Sequence, residues 1–529
     1  MRQSIKVNDI SIYLLLALYS AVTLLFVSKD SYLYSTVNHI DSAWFFMGGK
    51  AWMNGLTPYV DFSDSKGPIL WLIYGIGYLL SHYNYIGVYW LTCLFYAVTY
   101  CYTYKIFNIL FADRRKSFVA TKLMTAAYFC WWYHGDIRAE DFCQTFITIS
   151  LYRTFNTLYG GRLSDKQLRH TFTILGICFS CIFMIKFNLS AIIGIFTLFC
   201  LHSAFRAGRR LLPLIAWWAA GSCIVIVPLL IYFIYKGCLS AFLREYFLAT
   251  SSTVIYKGGG ILNSILPDIQ RVLSNTELSI VALVTLTGAW LMHYRLKKYR
   301  WFPLAVASGT IAIATLHCYW NYYYLACSYL FIFLIYSLLS PVKRRIPLLA
   351  IATVMLAVMP ITSYTWIQHC GYTTFKSANT SKTRNFAIVN KIIGETHNPR
   401  ILNLFSHEYG FGMQANTLPA GRYWSYQMHS TPEMEERHKS IVEAGSADYI
   451  IFCSTKNESS KKVSSAEIEQ CGYVIRHKWQ MDTYQFLLYS KRKYEQSSYE
   501  SHHQRHSCCL QCRKISAHLP RKHSRPDIQ

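Results

Sequence analysis

The chain has 529 residues, of which 53% are hydrophobic, 16% aromatic and only 15% charged. Soluble chains carry roughly 25% charged residues, so a water-soluble globular class is excluded in favour of repeated apolar segments. The net charge of +25 does not point to nucleic acid, because much of it lies in short loops between apolar runs. Lys and Arg in such loops mark the cytoplasmic side of a membrane.

Residues 1–8 carry Arg2 and Lys6 and are expected on the cytoplasmic side. The apolar run 10–27 lacks a small-residue cleavage site after it and reads as a retained first span rather than a signal peptide. Residues 41–68, DSAWFFMGGKAWMNGLTPYVDFSDSKGP, then interleave Asp41, Asp61, Asp64 and Lys66 with Trp44, Phe45, Phe46, Trp52, Tyr59 and Phe62. Such aromatics favour the headgroup region. Carboxylates held there are placed for chemistry on a lipid-borne substrate.

A long apolar region, 69–111, follows and is closed by DRRKS at 113–117. Further runs occur at 118–133, 140–158, 171–186, 188–205, 211–234, 276–294, 301–317, 322–340 and 346–363. Most approach the ~20 residues that cross the hydrocarbon core. The basic loops 113–116, 162–169, 206–210, 295–300 and 342–345 alternate with 134–141, a break at 186–188, 236–275 and 317–321. Placing every basic loop inside puts 41–68, 134–141, 236–275 and everything after 363 outside. Parity then requires 69–111 to cross an odd number of times, with 69–82 re-entrant or lying along the surface. The fold class is a polytopic α-helical membrane protein of about eleven spans, with twelve or thirteen as the alternatives, and a small C-terminal extracytoplasmic α/β domain.

From about residue 377 the composition changes. Residues 384–397 have helical spacing, and 431–445 reads as a helix capped by Thr431 and ended by Gly445. Residues 401–405, 449–453, 473–478 and 484–490 are short, β-branched and aromatic, as strands are. The tail, 491–529, is polar, without periodicity and expected to be disordered. Its Cys508, Cys509 and Cys512 lack the second half of a zinc ligand set, so the tail is read as inert. The domain division is 1–365, a transmembrane catalytic domain; 366–490, the outer α/β domain; and 491–529, the tail. The 17 cysteines are mostly scattered singly through apolar runs, where they serve as small core residues.

The outer loops collect ionisable groups near the membrane boundary: Asp41, Asp64 and Lys66; Asp136, Arg138, Glu140 and Asp141 in GDIRAED; Lys186; Arg244 and Glu245; and His317. Charges at such depths are costly and tend to be paired or functional. Together they suit sugar transfer from a lipid phosphate, a base stabilising the leaving phosphate and a carboxylate deprotonating the attacking hydroxyl or amine. Each also has a structural reading. Asp41 can cap the helix through 43–54, Asp61 can hold a turn, and Asp64 with Lys66 can form a surface ion pair. Arg138 with Glu140 or Asp141 can join helix ends, Lys186 can snorkel to the interface, His317 can be a satisfied interfacial residue, and the tyrosines at 322–324 can be aromatic belt.

The pattern resembles the GT-C superfamily of membrane glycosyltransferases, in particular bacterial relatives of protein O-mannosyltransferases and the lipid A aminoarabinose transferase. The likeness rests on Asp41 after the first span, NGLTPYVDF at 54–62, Lys66-Gly67-Pro68, GDIRAED at 135–141, KFN at 186–188 and HCYWNYYYL at 317–325. It covers residues 10–365. Two departures stand out: Asp41 is followed by Ser42 where the family often has an acid pair, and Gly67 stands where Lys-Pro-Pro is more usual.

The resemblance implies a polyprenyl-phosphate sugar donor and an inverting displacement at the anomeric carbon, while the short basic loops and lack of eukaryotic insertions point to a bacterial inner membrane. It implies catalytic roles for Asp41 and Asp64, donor-phosphate contacts from Lys66, Arg138 and Lys186, and substrate contacts from Glu140, Asp141, Arg244, His317 and Tyr323. It leaves room for a divalent cation, names no metal ligand, and takes a lipid, glycan or protein as acceptor, with membrane lipid around it and no nucleic acid. The competing readings are a polyprenyl-linked glycan flippase or transporter, an O-antigen polymerase or ligase type of enzyme, and a non-enzymatic scaffold for envelope assembly.

Overall fold

The computed structural model describes residues 7–28, 31, 40–63, 66–129, 137–249, 267, 269–270, 273–315, 321–341, 381–404, 417–425, 432–454, 463–481 and 484–492. Asp64, Asp136, His317, Thr431, the apolar run 346–363 and the cysteines of the tail lie outside the described residues.

The apolar runs form helices: α1 (Val7–Val27), α2 (Ile40–Met53), α3 (Pro68–Leu80), α4 (Ile86–Phe111) and α5 (Arg114–Tyr128) come first. They are followed by α6 (Ala139–Tyr159), α7 (Asp165–Phe183), α8 (Ser190–Arg206), α9 (Leu211–Tyr235) and α10 (Leu239–Phe242), which runs into a π-helical turn at Leu243–Ala249. Helices Thr276–Arg295, Phe302–Thr315 and Phe331–Leu339 follow among the described residues, the last preceded by a 3-10 segment at Asn321–Leu330. Three helices among the described residues, Ile10–Val27, Phe187–Arg206 and Leu211–Tyr235, are long and apolar enough to cross a membrane. The segment 69–82 is its own short helix, α3, whose 13 residues span about 20 Å, less than the ~30 Å of a hydrocarbon core.

Side-chain pairs fix how these helices run. Tyr96 of α4 meets Asp141 of α6, Thr99 meets Thr145, and Tyr102 meets Tyr152, so α4 and α6 are parallel. Tyr89 reaches Ala21 of α1 while Tyr104 packs on Tyr13, so α1 runs the other way. Helices α2 and α3 come together backbone to backbone. A Cβ on Gly49 would stand 2.4 Å from the Gly75 nitrogen, the small-residue contact by which membrane helices approach closely.

The C-terminal segment forms a five-stranded sheet of order β2-β1-β3-β5-β4, with β1 (Arg400–Leu404), β2 (Leu418–Pro419), β3 (Tyr449–Ser454), β4 (Tyr473–Met481) and β5 (Tyr484–Lys491). Strand β1 is parallel to β2 and β3, while β5 runs antiparallel to both β3 and β4. Successive residues alternate between faces. Leu402, Leu404, Ile450, Phe452 and Leu487 pack with Ile441 and Val442 of the helix Pro432–Glu443 and with Ile468. Ile401, Ile451, Phe486 and Leu488 belong instead to the large core shared with the membrane helices. A sheet covered on both faces explains why β3 reads as an apolar run from Tyr449 to Cys453. The four expected strands and both expected helices of this segment are present. The two-residue β2 and the helix Ser465–Gln470, too short for periodicity to reveal, are additional.

His438, on the helix Pro432–Glu443, is fully buried, and its Nε2–H donates to the Tyr423 carbonyl at 2.6 Å. Burial disfavours the imidazolium and pushes its pKa down from 6.5 to about 4. The folded state therefore binds the proton less readily than the unfolded chain. Stability conferred by neutral His438 should be full above about pH 6.5, decline as pH falls towards about 4, and then level off, a change of about 3 kcal/mol. Denaturant unfolding of the protein across that window, beside a His438→Gln variant that flattens the slope, measures it.

Candidate active site

Four segments meet at the ends of their helices. The first is the start of α2, where Asp41 lies half-buried in the first turn, a position at which the helix dipole favours a carboxylate. The next residue, Ser42, donates through Oγ to the Ile137 carbonyl at 2.7 Å, and Tyr74 of α3 donates to the same oxygen at 2.7 Å. This shared acceptor places Asp41 beside Arg138, the residue preceding α6.

The second segment is the entry to α3. Tyr59, fully buried and held at the left-handed φ of 66°, donates its hydroxyl to the Lys66 carbonyl at 2.9 Å. Its ring lies 4.8 Å from Trp71 and 5.3 Å from Phe242, centroid to centroid. The Asp61 carboxylate accepts from the Thr57 N–H at 2.7 Å, which is the turn-holding role its sequence position suggests. The Lys66 ammonium stands 6.0 Å from the Phe45 ring. Phe45 is one helical turn beyond Asp41 and shares its face, so Lys66 and Asp41 look onto the same side of α2.

The third and fourth segments are the start of α6 and the break between α7 and α8. The Gly67 N–H donates to the Ile185 carbonyl, and the Ile69 N–H to that of Met184, each at 3.0 Å. A Cβ on residue 67 would stand 2.1 Å from the Met184 oxygen. That close approach is the physical reason for glycine between Lys66 and Pro68, and it sets Lys66 against the strand of chain that bears Lys186. Lys186 forms an ion pair with Glu140, whose side chain is 2% exposed against 14% for the lysine. Asp141 is buried as well, with one carboxylate oxygen accepting from the Arg138 N–H at 2.8 Å and the other from the Tyr96 hydroxyl at 2.6 Å. The first of these bonds is half of a capping box.

Asp41, Lys66, Arg138, Glu140, Asp141 and Lys186 are thus brought together by the ends of α2, α3, α6 and α7. Arg244 lies apart, 56% exposed on the π-helical turn, 3.4 Å from Glu245. Glu245 is also ion-paired with Arg422 of the C-terminal domain and accepts from the Ser63 hydroxyl at 3.1 Å. Ser63 donates its N–H to the Arg422 carbonyl at 3.1 Å, and Trp44 packs on Trp424 at 5.1 Å between centroids. The C-terminal domain is therefore fastened to the loop that leads to Lys66. Arg422 and Tyr96 carry no sequence signal of these roles, because their partners are distant in the chain. Tyr323 lies on the 3-10 segment Asn321–Leu330. Among the described residues no three His, Cys, Asp or Glu side chains gather as metal ligands, so the divalent cation admitted by the resemblance has no ready donor set in them.

Removing one member of a buried ion pair leaves an uncompensated charge, at a cost of about 3–5 kcal/mol. Glu140→Gln and Lys186→Met should each lower the unfolding midpoint of the purified protein. The double variant Glu140→Gln/Lys186→Met should recover much of the loss, a non-additivity read directly by thermal denaturation in detergent.

No protein-family model and no curated protein sequence matches the chain. Its structure is similar to that of ArnT from Cupriavidus metallidurans bound to undecaprenyl phosphate, with a TM-score of 0.61 over 90% of this chain and 98% of that one, at 10% identity. The apo form of the same protein gives 0.60 over 90% and 97%, at 8% identity. The chain therefore has the fold of ArnT, and three helices among its described residues are long and apolar enough to cross a membrane.

Proposed function

We propose that the protein is an integral-membrane glycosyltransferase that moves a sugar from a polyprenyl-phosphate donor to an envelope acceptor, by an inverting displacement on the outer face of a bacterial inner membrane. The observation that carries this reading is the gathering of Asp41, Lys66, Arg138 and the Glu140–Lys186 pair at the meeting point of four helix ends. The fold shared with ArnT, solved with undecaprenyl phosphate, supports the donor class. The arrangement of basic loops supports eleven spans, with the C-terminal domain outside and residues 1–365 as the catalytic unit.

In the proposed reaction the acceptor oxygen or nitrogen bonds to the anomeric carbon as the bond from that carbon to the phosphate oxygen breaks. The acceptor proton passes to the Asp41 carboxylate, and polyprenyl phosphate leaves with the electron pair. Lys66 and Arg138 hold the leaving phosphate, with Lys186 behind them, its charge steadied by Glu140. Asp141 fixes the backbone from which Arg138 projects. Arg244, on the exposed turn, faces the acceptor side, and Asp64, His317 and Tyr323 complete the substrate contacts.

A general base contributes about 10²–10⁴-fold to such a step. Asp41→Asn should therefore lower transfer of radiolabel from a panel of polyprenyl-phosphate sugars by about that factor, with the protein still folded. Equal transfer by wild type and variant would remove Asp41 from the chemistry. Absence of turnover with every donor, together with substrate movement across vesicles, would replace the enzyme by a transporter.

A further inference from the structure

The end of α6 opposite the candidate site carries a second cluster of charge. Arg153 lies six residues before the end of α6, Lys105 six before the end of α4, and Tyr13 six after the start of α1. With α4 and α6 parallel and α1 antiparallel, all three sit at one level, about 9 Å inside the face that bears the exposed Arg114 and Arg115. The separation from Asp141 along α6 is about 18 Å.

The Lys105 ammonium stands 4.5 Å from the Tyr102 ring, 5.2 Å from Tyr13 and 5.8 Å from Tyr152. The Arg153 guanidinium lies 5.8 Å from the Tyr152 ring, and its Nε is buried without a hydrogen-bond partner. Cys101 and Arg153 are the titratable groups facing Lys105, and His170 of α7 also faces Arg153. Among the described residues neither cation has a carboxylate within ion-pair distance. Two acids on this side whose side chains are described are already engaged. Asp113 accepts from the backbone N–H groups of Arg115 and Lys116, at 2.9 and 3.1 Å, and Asp165 pairs with Arg209 at 2.7 Å.

Aromatic faces attract a cation but supply no opposite charge, and uncompensated cations at this depth are costly. Beside the cluster, α1 presents Leu14, Leu15 and Leu18 outward, each more than half exposed. Two cations thus lie beside an aliphatic wall. We infer that Lys105 and Arg153 form a binding site for the phosphate of an anionic glycerophospholipid in the leaflet at the basic-loop face, its acyl chains lying along α1. Basic recesses between membrane helices on that side take such headgroups. The site is separate from the candidate active site, and its occupancy tests nothing about sugar transfer.

The full-length protein, purified in mild detergent and delipidated, is titrated in turn with phosphatidylglycerol, phosphatidylcholine and inorganic phosphate. Bound lipid is counted by native mass spectrometry, and the unfolding midpoint is followed in parallel. Phosphatidylglycerol should bind and raise the midpoint, whereas phosphatidylcholine and inorganic phosphate should do neither. Lys105→Met/Arg153→Met should bind phosphatidylglycerol about 30-fold more weakly, two surface-leaflet cations being lost. Should the double variant not fold, the single variants, each expected to lose about fivefold, give the same reading. Equal binding of phosphatidylcholine, stabilisation by inorganic phosphate alone, or unchanged affinity in the variants would overturn the inference.

Discussion

At residue 67 the chain crosses the Met184 carbonyl so closely that a methyl group would stand 2.1 Å from its oxygen. This contact joins the stretch between α2 and α3 to the break between α7 and α8, two segments more than a hundred residues apart in sequence. Two backbone hydrogen bonds hold it, from Gly67 to Ile185 and from Ile69 to Met184. Tyr59 holds the preceding chain through the Lys66 carbonyl. Without this junction Lys66 and Lys186 would belong to separate parts of the molecule. With it they lie on adjoining stretches of chain, next to the start of α2.

Electrostatics then divides the charged groups by task. In a low-dielectric interior a buried carboxylate must be neutralised or hydrogen-bonded. Glu140 meets this demand through Lys186, and Asp141 through Tyr96 and the Arg138 N–H. Of the two acids of α6, Glu140 thereby meets a cationic side chain and Asp141 holds the backbone at Arg138. Asp41, half-buried in the first turn of α2, stands nearer to solvent, where an acceptor would arrive. The Ser63–Glu245–Arg422 junction extends the same logic outward, because a single carboxylate ties the loop, the π-helical turn and the C-terminal domain together.

Much of the architecture was legible in the sequence because it is periodic. The β-branched and aromatic stretches 401–405 and 449–453 and the helix read at 431–445 became elements within a residue or two at their described ends, whereas the apolar runs became helices whose ends shift by up to six residues, as where 171–186 became Asp165–Phe183, and 346–363 lies outside the described residues. The acids and bases of 41–68, 135–141 and 186–188 were legible as chemistry because charge at a membrane boundary is costly. Their partners were not. Nothing local to Asp141 announces Tyr96, and nothing local to Glu245 announces Arg422, since those bonds depend on how distant helices and strands are brought together. Glycine at 67 was visible as a departure from Lys-Pro-Pro, but its cause, the carbonyl of Met184, far away in the chain, was not. The short β2 and the π-helical turn lie below the length at which periodicity carries information.

The central claim is that four helix ends form a recess for a polyprenyl phosphate. Direct binding tests it without requiring the sugar or the acceptor to be known. Native mass spectrometry of the purified protein with undecaprenyl phosphate should detect one bound lipid on the wild type, and Lys66→Met should lose most of it while remaining folded. Equal retention by both proteins, or no retention by the wild type, would contradict the account.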